Sequence, residues 1–249
     1  GEGDSVLVGS GSEMVLPGGG GGGGRKDCRL KRKQSLDDAL RSLPQEVAEV
    51  AAHMDSLTAD VVMCTREVVE LANDRLRGDK TQEGLASHAL VLYLWSLKTL
   101  HRALSQLNDV QARCGGLLPP RLVTEWNSLV RGHLADDFCK AKLAMRLGVE
   151  SSLRSDAPWV TTMGQVNPAV LDTTVAPSAV RIAWDTALSL GRGAASHEVL
   201  HGAPWEDCKG RYRRALLLVC ALMLGGCDHV DDYKVVASFA HAFGGRLRR

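Results

Sequence analysis

An all-α fold of two tandem three-helix bundles joined by a Pro/Thr-rich connector is what this sequence predicts. Three observations carry that expectation. Aromatics make up only 4% of the 249 residues and β-branched residues cluster little, while Ala, Leu, Arg, Glu and Lys, which favour helices, dominate. Apolar residues recur at intervals of three and four along six stretches, the spacing of one helix face. Finally, residues 148–177 lose that period and hold Pro158, Pro168 and Pro177 among several Thr and Ser. A structureless connection of that length inside one domain is unusual, which divides the chain into two groups of three helices.

Residues 1–34 are expected to be a flexible lead-in. Seven glycines, Gly18 to Gly24, precede the basic run RKDCRLKRK from Arg25 to Lys33, and polyglycine loses too much entropy on ordering to fold alone. The early VLVGSGS resembles a dinucleotide loop only superficially, because a third glycine and a following helix are missing. The first helical unit is expected over 35–149. Ser35 reads as a cap with Asp37 and Asp38 in the first turn. Pro44 then opens a helical stretch to about Arg77, with a break expected near Asp55-Ser56. Leu57, Val61, Cys64, Val68 and Leu71 form its inner face, and Gly78-Asp79 ends it.

The next helix spans about Gln82 to Arg113, with Leu85, Ala89, Leu92, Leu100, Leu104 and Leu107 on one side. Gly115-Gly116 and Pro119-Pro120 make the next turn. A third helix, about Arg121 to Leu147, turns Leu122, Trp126, Leu129, His133 and Leu134 inward. The connector is placed at 150–176 and the second unit at 177–249. Its three helices are expected at about Ser178–Leu200, Trp205–Leu224 and His229–Arg246, broken by Gly202-Ala203-Pro204 and Gly225-Gly226.

Composition also excludes some functions. A net charge of +1 gives the chain no general attraction to nucleic acid or to anionic lipid. Seven cysteines without a C-x-x-C pair fit reduced thiols in the cytosol better than a disulfide framework. The apolar run Ala215 to Leu224 is about half of what a membrane span requires. With Gly at position 1 and no signal-peptide layout, the sequence reads as a fragment or an incomplete gene model of an intracellular protein.

One motif suggests chemistry. His197-Glu198-Val199-Leu200-His201 is the H-E-x-x-H pattern, in which two histidines a turn apart hold zinc while the glutamate activates a water. The residues downstream of the motif oppose that reading. Gly202 and Pro204 stop the helix at the second histidine. The longer metalloprotease pattern wants Gly at position 204 and His at 207, where this chain has Pro204 and Asp207. Asp207 is the one available third ligand. The expectation is therefore no metal and no cofactor, with a zinc hydrolase kept as a minor alternative.

Cys220, Cys227 and His229 are close in sequence, but Cys220 sits in the apolar run and reads as core. His53, His88, His101 and His241 are scattered singly. Trp95, Trp126 and Trp184 read as packing, and Trp205 as a residue able to line a groove. No phosphate loop, kinase loop or nucleophile elbow is present.

Leu90-Val91-Leu92-Tyr93-Leu94, and Arg211-Tyr212-Arg213-Arg214-Ala215-Leu216-Leu217-Leu218 later, carry a family resemblance. Together with a long third helix, a connector and a helix ending in Ala194-Ala195-Ser196-His197-Glu198, they resemble the C-terminal region of the autophagy-initiating serine/threonine kinases, the ULK family. The resemblance covers roughly Leu57 to Leu247 and implies two MIT-type three-helix domains in tandem. It further implies a non-catalytic docking region that binds helical motifs of the HORMA-domain autophagy scaffold subunit. The grooves would involve Leu92, Tyr93, Tyr212, Ala215, Leu216 and Val219. Peripheral membrane contact would fall to basic residues, chiefly Arg211, Arg213 and Arg214. The same likeness implies cytoplasmic residence with recruitment to autophagosome-forming sites. A helical adaptor of vesicle sorting without any kinase is the alternative.

Overall fold

The computed structural model describes residues 43–77, 85–114, 116–152, 168–200, 202, 204–225 and 230–248. The lead-in 1–34, the Ser35 cap, the stop at Gly78-Asp79 and most of the expected connector lie outside these. The described chain is all helical: α1 (Gln45–Arg77), α2 (Leu85–Arg113), α3 (Pro120–Ser152), α4 (Pro168–Leu200), α5 (Trp205–Gly225) and α6 (Val230–Leu247). Helices α1 to α3 form one three-helix bundle and α4 to α6 a second.

Two boundaries differ from expectation. Helix α1 runs unbroken through Asp55-Ser56, because their side chains find partners without unwinding the backbone. Asp55 Oδ1 accepts a hydrogen bond from Trp126 Nε1 of α3 at 3.0 Å, and Ser56 Oγ reaches Asp60 at 3.5 Å. Helix α4 begins at Pro168 and carries Pro177 within it. Pro168 suits that first helical turn, where its missing N–H is an orphan in any case, whereas Pro177 stands at the tenth position. Where the sequence expects stops at Gly116 and Gly202, the backbone takes φ of 83° and 56°. That left-handed conformation after a helix end favours glycine.

Side-chain contacts set the helix directions. Tyr93 on α2 donates to Asn73 Oδ1 on α1 at 2.6 Å, and Ser96 donates to Asp137 Oδ2 on α3 at 2.7 Å. Each pair is nearly symmetric about its connecting turn, so α2 is antiparallel to both neighbours. In the second bundle Tyr212 of α5 reaches back to Glu198 of α4 at 2.9 Å. Trp184 and Glu198 along α4 meet Phe239 and Arg246 along α6 in the same order, so those two helices run parallel.

Trp95, Trp126, Leu92, Leu100 and Val130 are buried in the first bundle, and Leu218, Val219 and Leu222 in the second. Helix α4 contributes small residues instead: Ala179, Ala183, Ala187, Gly191 and Ala194 are buried at steps of four and three. Such a stripe lets neighbouring helices approach closely, and Phe243 of α6 lies against Gly191.

The two bundles share a core, and Leu43–Arg249 is one compact unit. Helix α5 lies against α1, and α4 against α2. Polar contacts fasten this seam. The Arg214 guanidinium donates to Glu67 and, at 3.0 Å, to Asp74, both on α1. Trp95 Nε1 donates to the carbonyl of Gly225 at 3.2 Å, occupying one of the carbonyls left over at the end of α5.

Candidate docking grooves

The residues that the sequence nominates for a groove lie mostly inside the protein. Leu92, Tyr93, Tyr212, Ala215 and Val219 are each no more than 2% exposed, and Leu216 is half-buried against the shared core. Tyr93 is anchored by Asn73, and burial pushes its phenol up to about 12. Tyr212 stacks on Trp205 with ring centroids 6.0 Å apart and tilts against Phe243. Burial, then its hydrogen bond to Glu198, raises its pKa as well. The periodicity that marks these residues is the signature of packing, and their own chain supplies the packing partners. Ala215 is fully buried in the shared core.

The basic residues separate. Arg211 and Arg213 are exposed, whereas Arg214 is committed to Glu67 and Asp74. The H-E-x-x-H glutamate is committed too. Glu198 Oε2 accepts from Tyr212, and Oε1 accepts from Arg246 Nη1 at 3.1 Å, so its carboxylate ties α4 to α5 and α6. His197 is exposed, and His201 lies outside the described residues. No cluster of three or more metal-ligating side chains occurs among the described residues. No helix among them is long and apolar enough to cross a membrane.

Open concave surface lies elsewhere. In the first bundle a groove of about 600 Å³ runs between α2 and α3, lined by Leu97, Lys98, His101, Arg131, Leu134, Ala135 and Phe138. On α3, positions 131, 134, 135 and 138 share helical spacing, so one continuous strip forms a wall. Phe138 is 51% exposed there, which is costly for a large apolar side chain. The Lys142 ammonium sits over its ring, 4.7 Å from the centroid. The rim is basic, through Lys98, Arg131 and Lys142, over an apolar floor.

In the second bundle a smaller groove of about 210 Å³ lies between the parallel helices α4 and α6. Leu188, Ala195, Phe239 and Phe243 line it, with Arg192 and Arg246 as its cations. A third depression, between the start of α1 and the end of α2, is lined by Val50, Met54 and Val110. The linings of the α2/α3 and α4/α6 grooves hold no Cys, Ser or Thr, while the third depression also carries Cys114, His53 and Glu49. The chemistry of those two grooves is that of surfaces that bury an apolar strip and pair with carboxylates.

Sequence reasoning misses the α2/α3 groove, although a signal is present. Phe138 is one of three phenylalanines in the chain and stands seven residues after Arg131. It is off the face that carries Leu122, Trp126 and Leu129. An aromatic that departs from the inward stripe of its own helix marks a second apolar face.

The fold thus defines a class: all-α proteins built from two three-helix bundles in tandem, each with a groove between helices. Among solved structures, the chain is similar to a chain in the crystal structure of the Atg1–Atg13 complex. The TM-score is 0.54 at 14% identity, over 79% of this chain and 96% of the other. No family model and no curated protein matches the sequence.

Proposed function

We propose that this chain is a protein-docking region of an autophagy-initiating kinase, and that its grooves receive short helical segments of the scaffold partner. The observation that carries this reading is the tandem of three-helix bundles with open interhelical grooves. It agrees with the sequence resemblance to the ULK family and with a structural neighbour taken from a complex of Atg1 with Atg13.

An amphipathic helix places apolar residues at i, i+3 and i+4 on one side, and such a strip fits the apolar floor beside Phe138. Two grooves on one chain turn the second binding event into an intramolecular one, so two weak segments act as one tight ligand. The chain itself is non-catalytic in this reading, with Glu198 serving structure rather than chemistry. Arg211 and Arg213 remain the residues for peripheral contact with anionic lipid at autophagosome-forming sites.

Calorimetric titration with the scaffold's helical motifs tests the proposal. Phe138→Asp and Ala242→Glu each place a carboxylate in or beside one groove while leaving the core untouched. Each is expected to weaken one motif about tenfold or more, with the loss compounded for a two-motif ligand. Unchanged affinity in both variants, with helicity intact, would remove the grooves from the reading.

A further inference from the structure

The groove between α2 and α3 carries one sign of charge. Lys98, His101 and Arg131 line it, and no Asp or Glu does. Lys142 adds an ammonium over the half-exposed ring of Phe138. The acids close by in sequence serve elsewhere. Asp137 is buried against Ser96 and Lys140, and Asp136 falls off the strip that positions 131, 134, 135, 138 and 142 form on α3. Helix α2 has a single carboxylate, Asp109, eight residues beyond His101 and about 12 Å further along the axis.

The strip also has a length. Arg131 and Lys142, both exposed, are eleven residues apart, or about 16 Å along α3, with Leu134, Ala135 and Phe138 between them. An apolar floor with a cation at each end is matched by the opposite arrangement.

The geometry points to an acid-flanked amphipathic helix of a partner protein as the occupant of the α2/α3 groove. It is about three turns long, with a carboxylate near each end to meet Arg131 and Lys142 and apolar residues between for Leu134 and Phe138. The inference rests on the reading that this groove receives a helix, and adds the chemistry of that helix. Charge decides against a second copy of this chain, since two such grooves face to face bring like charges together. Shape decides against a bilayer. The site is a trough of about 600 Å³ between two helices, which a rod fills and a flat surface spans. The ring supplies the anchor, while the rim pairs set which helix is accepted and in what register.

Fluorescence anisotropy of two stapled helical peptides, titrated with the full chain, tests this. Both carry Leu at the spacing of Leu134, Ala135 and Phe138; one has Glu at its two ends, eleven positions apart, and the other Gln. At low salt the Glu peptide is expected to bind about fivefold tighter or more, and the advantage should fade near 0.5 M sodium chloride. Arg131→Glu combined with Lys142→Glu should switch the preference to a Lys-flanked peptide, a gain that a damaged fold would not produce. Equal binding of the Glu and Gln peptides, with both lost in Phe138→Asp, would overturn the inference and leave the groove reading in place. Binding of neither peptide at up to about 1 mM would remove both. Sedimentation with anionic vesicles that depends on Phe138, in place of peptide binding, would assign the patch to a membrane surface and equally overturn the inference.

Discussion

Asp137 illustrates how one side chain couples this fold to pH. It is buried between α2 and α3, where it accepts from Ser96 at 2.7 Å and has Lys140 at 3.7 Å. Burial raises its pKa above the ordinary carboxylate value, and the Ser96 and Lys140 contacts compensate only in part. The sign is the reverse of a salt-bridged carboxylate. Between the unfolded and the raised folded pKa the folded state holds more protons, so stability falls as pH rises through that window. Asp137→Asn keeps an acceptor for Ser96 without the charge. It should melt at or above the unaltered protein at pH 7, and the difference should vanish below the unfolded carboxylate pKa. Parallel melting curves across pH would refute this. Gly191 supplies a steric counterpart. A Cβ there would stand 2.5 Å from Phe243 Cζ, and that ring is packed against Phe239 and Tyr212. Gly191→Ala is therefore expected to cost about 1–3 kcal/mol through overpacking, measurable by urea denaturation.

At the scale of the element, α5 is the helix that belongs to both bundles. It packs on α4 and α6 and reaches α1 through Arg214. Glu67 is only 12% exposed, so loss of the guanidinium strands a nearly buried carboxylate. A double-mutant cycle between Arg214→Ala and Glu67→Ala should give a coupling of about 1–2 kcal/mol, more than an exposed pair would show. Additive losses would mean that the pair does not bind the helices together. Element by element, the sequence is a good guide where punctuation and period agree. The end of α1 near Arg77 and the span of α5 are legible from Gly78, Pro204 and Gly225. It is a poor guide at Pro168 and Pro177, since a proline that breaks a helix and one that the helix accommodates look alike. Period identifies Tyr212, Ala215 and Val219 as one face. Only the tertiary arrangement says whether that face is covered by the chain itself or by a partner, and nothing in the period points to Phe138. The role of Glu198 is equally illegible, because it depends on Tyr212 and Arg246, 14 and 48 positions away.

For the molecule as a whole, the shared core predicts one cooperative unfolding transition over Leu43–Arg249. Residues 168–249 expressed alone would expose the faces of α4 and α5 that α2 and α1 now cover. That piece should be markedly less helical than the same residues in the intact chain, by circular dichroism; a stable isolated second bundle would contradict the shared core. Removal of residues 1–34 should by contrast leave melting unchanged within about 1–2 °C, because polyglycine and like charges provide nothing to bury. Trp95 offers a way to watch the seam. Its indole N–H is held by the last carbonyl of α5, and its ring is buried among residues of both bundles. Any ligand that tilts one bundle on the other must first break that bond and admit water to the ring. With the other four tryptophans replaced by phenylalanine, a red-shifted emission would then report a hinge motion, and an unshifted one would mean that ligands dock on a rigid frame. The molecule carries its own optical gauge of interdomain angle.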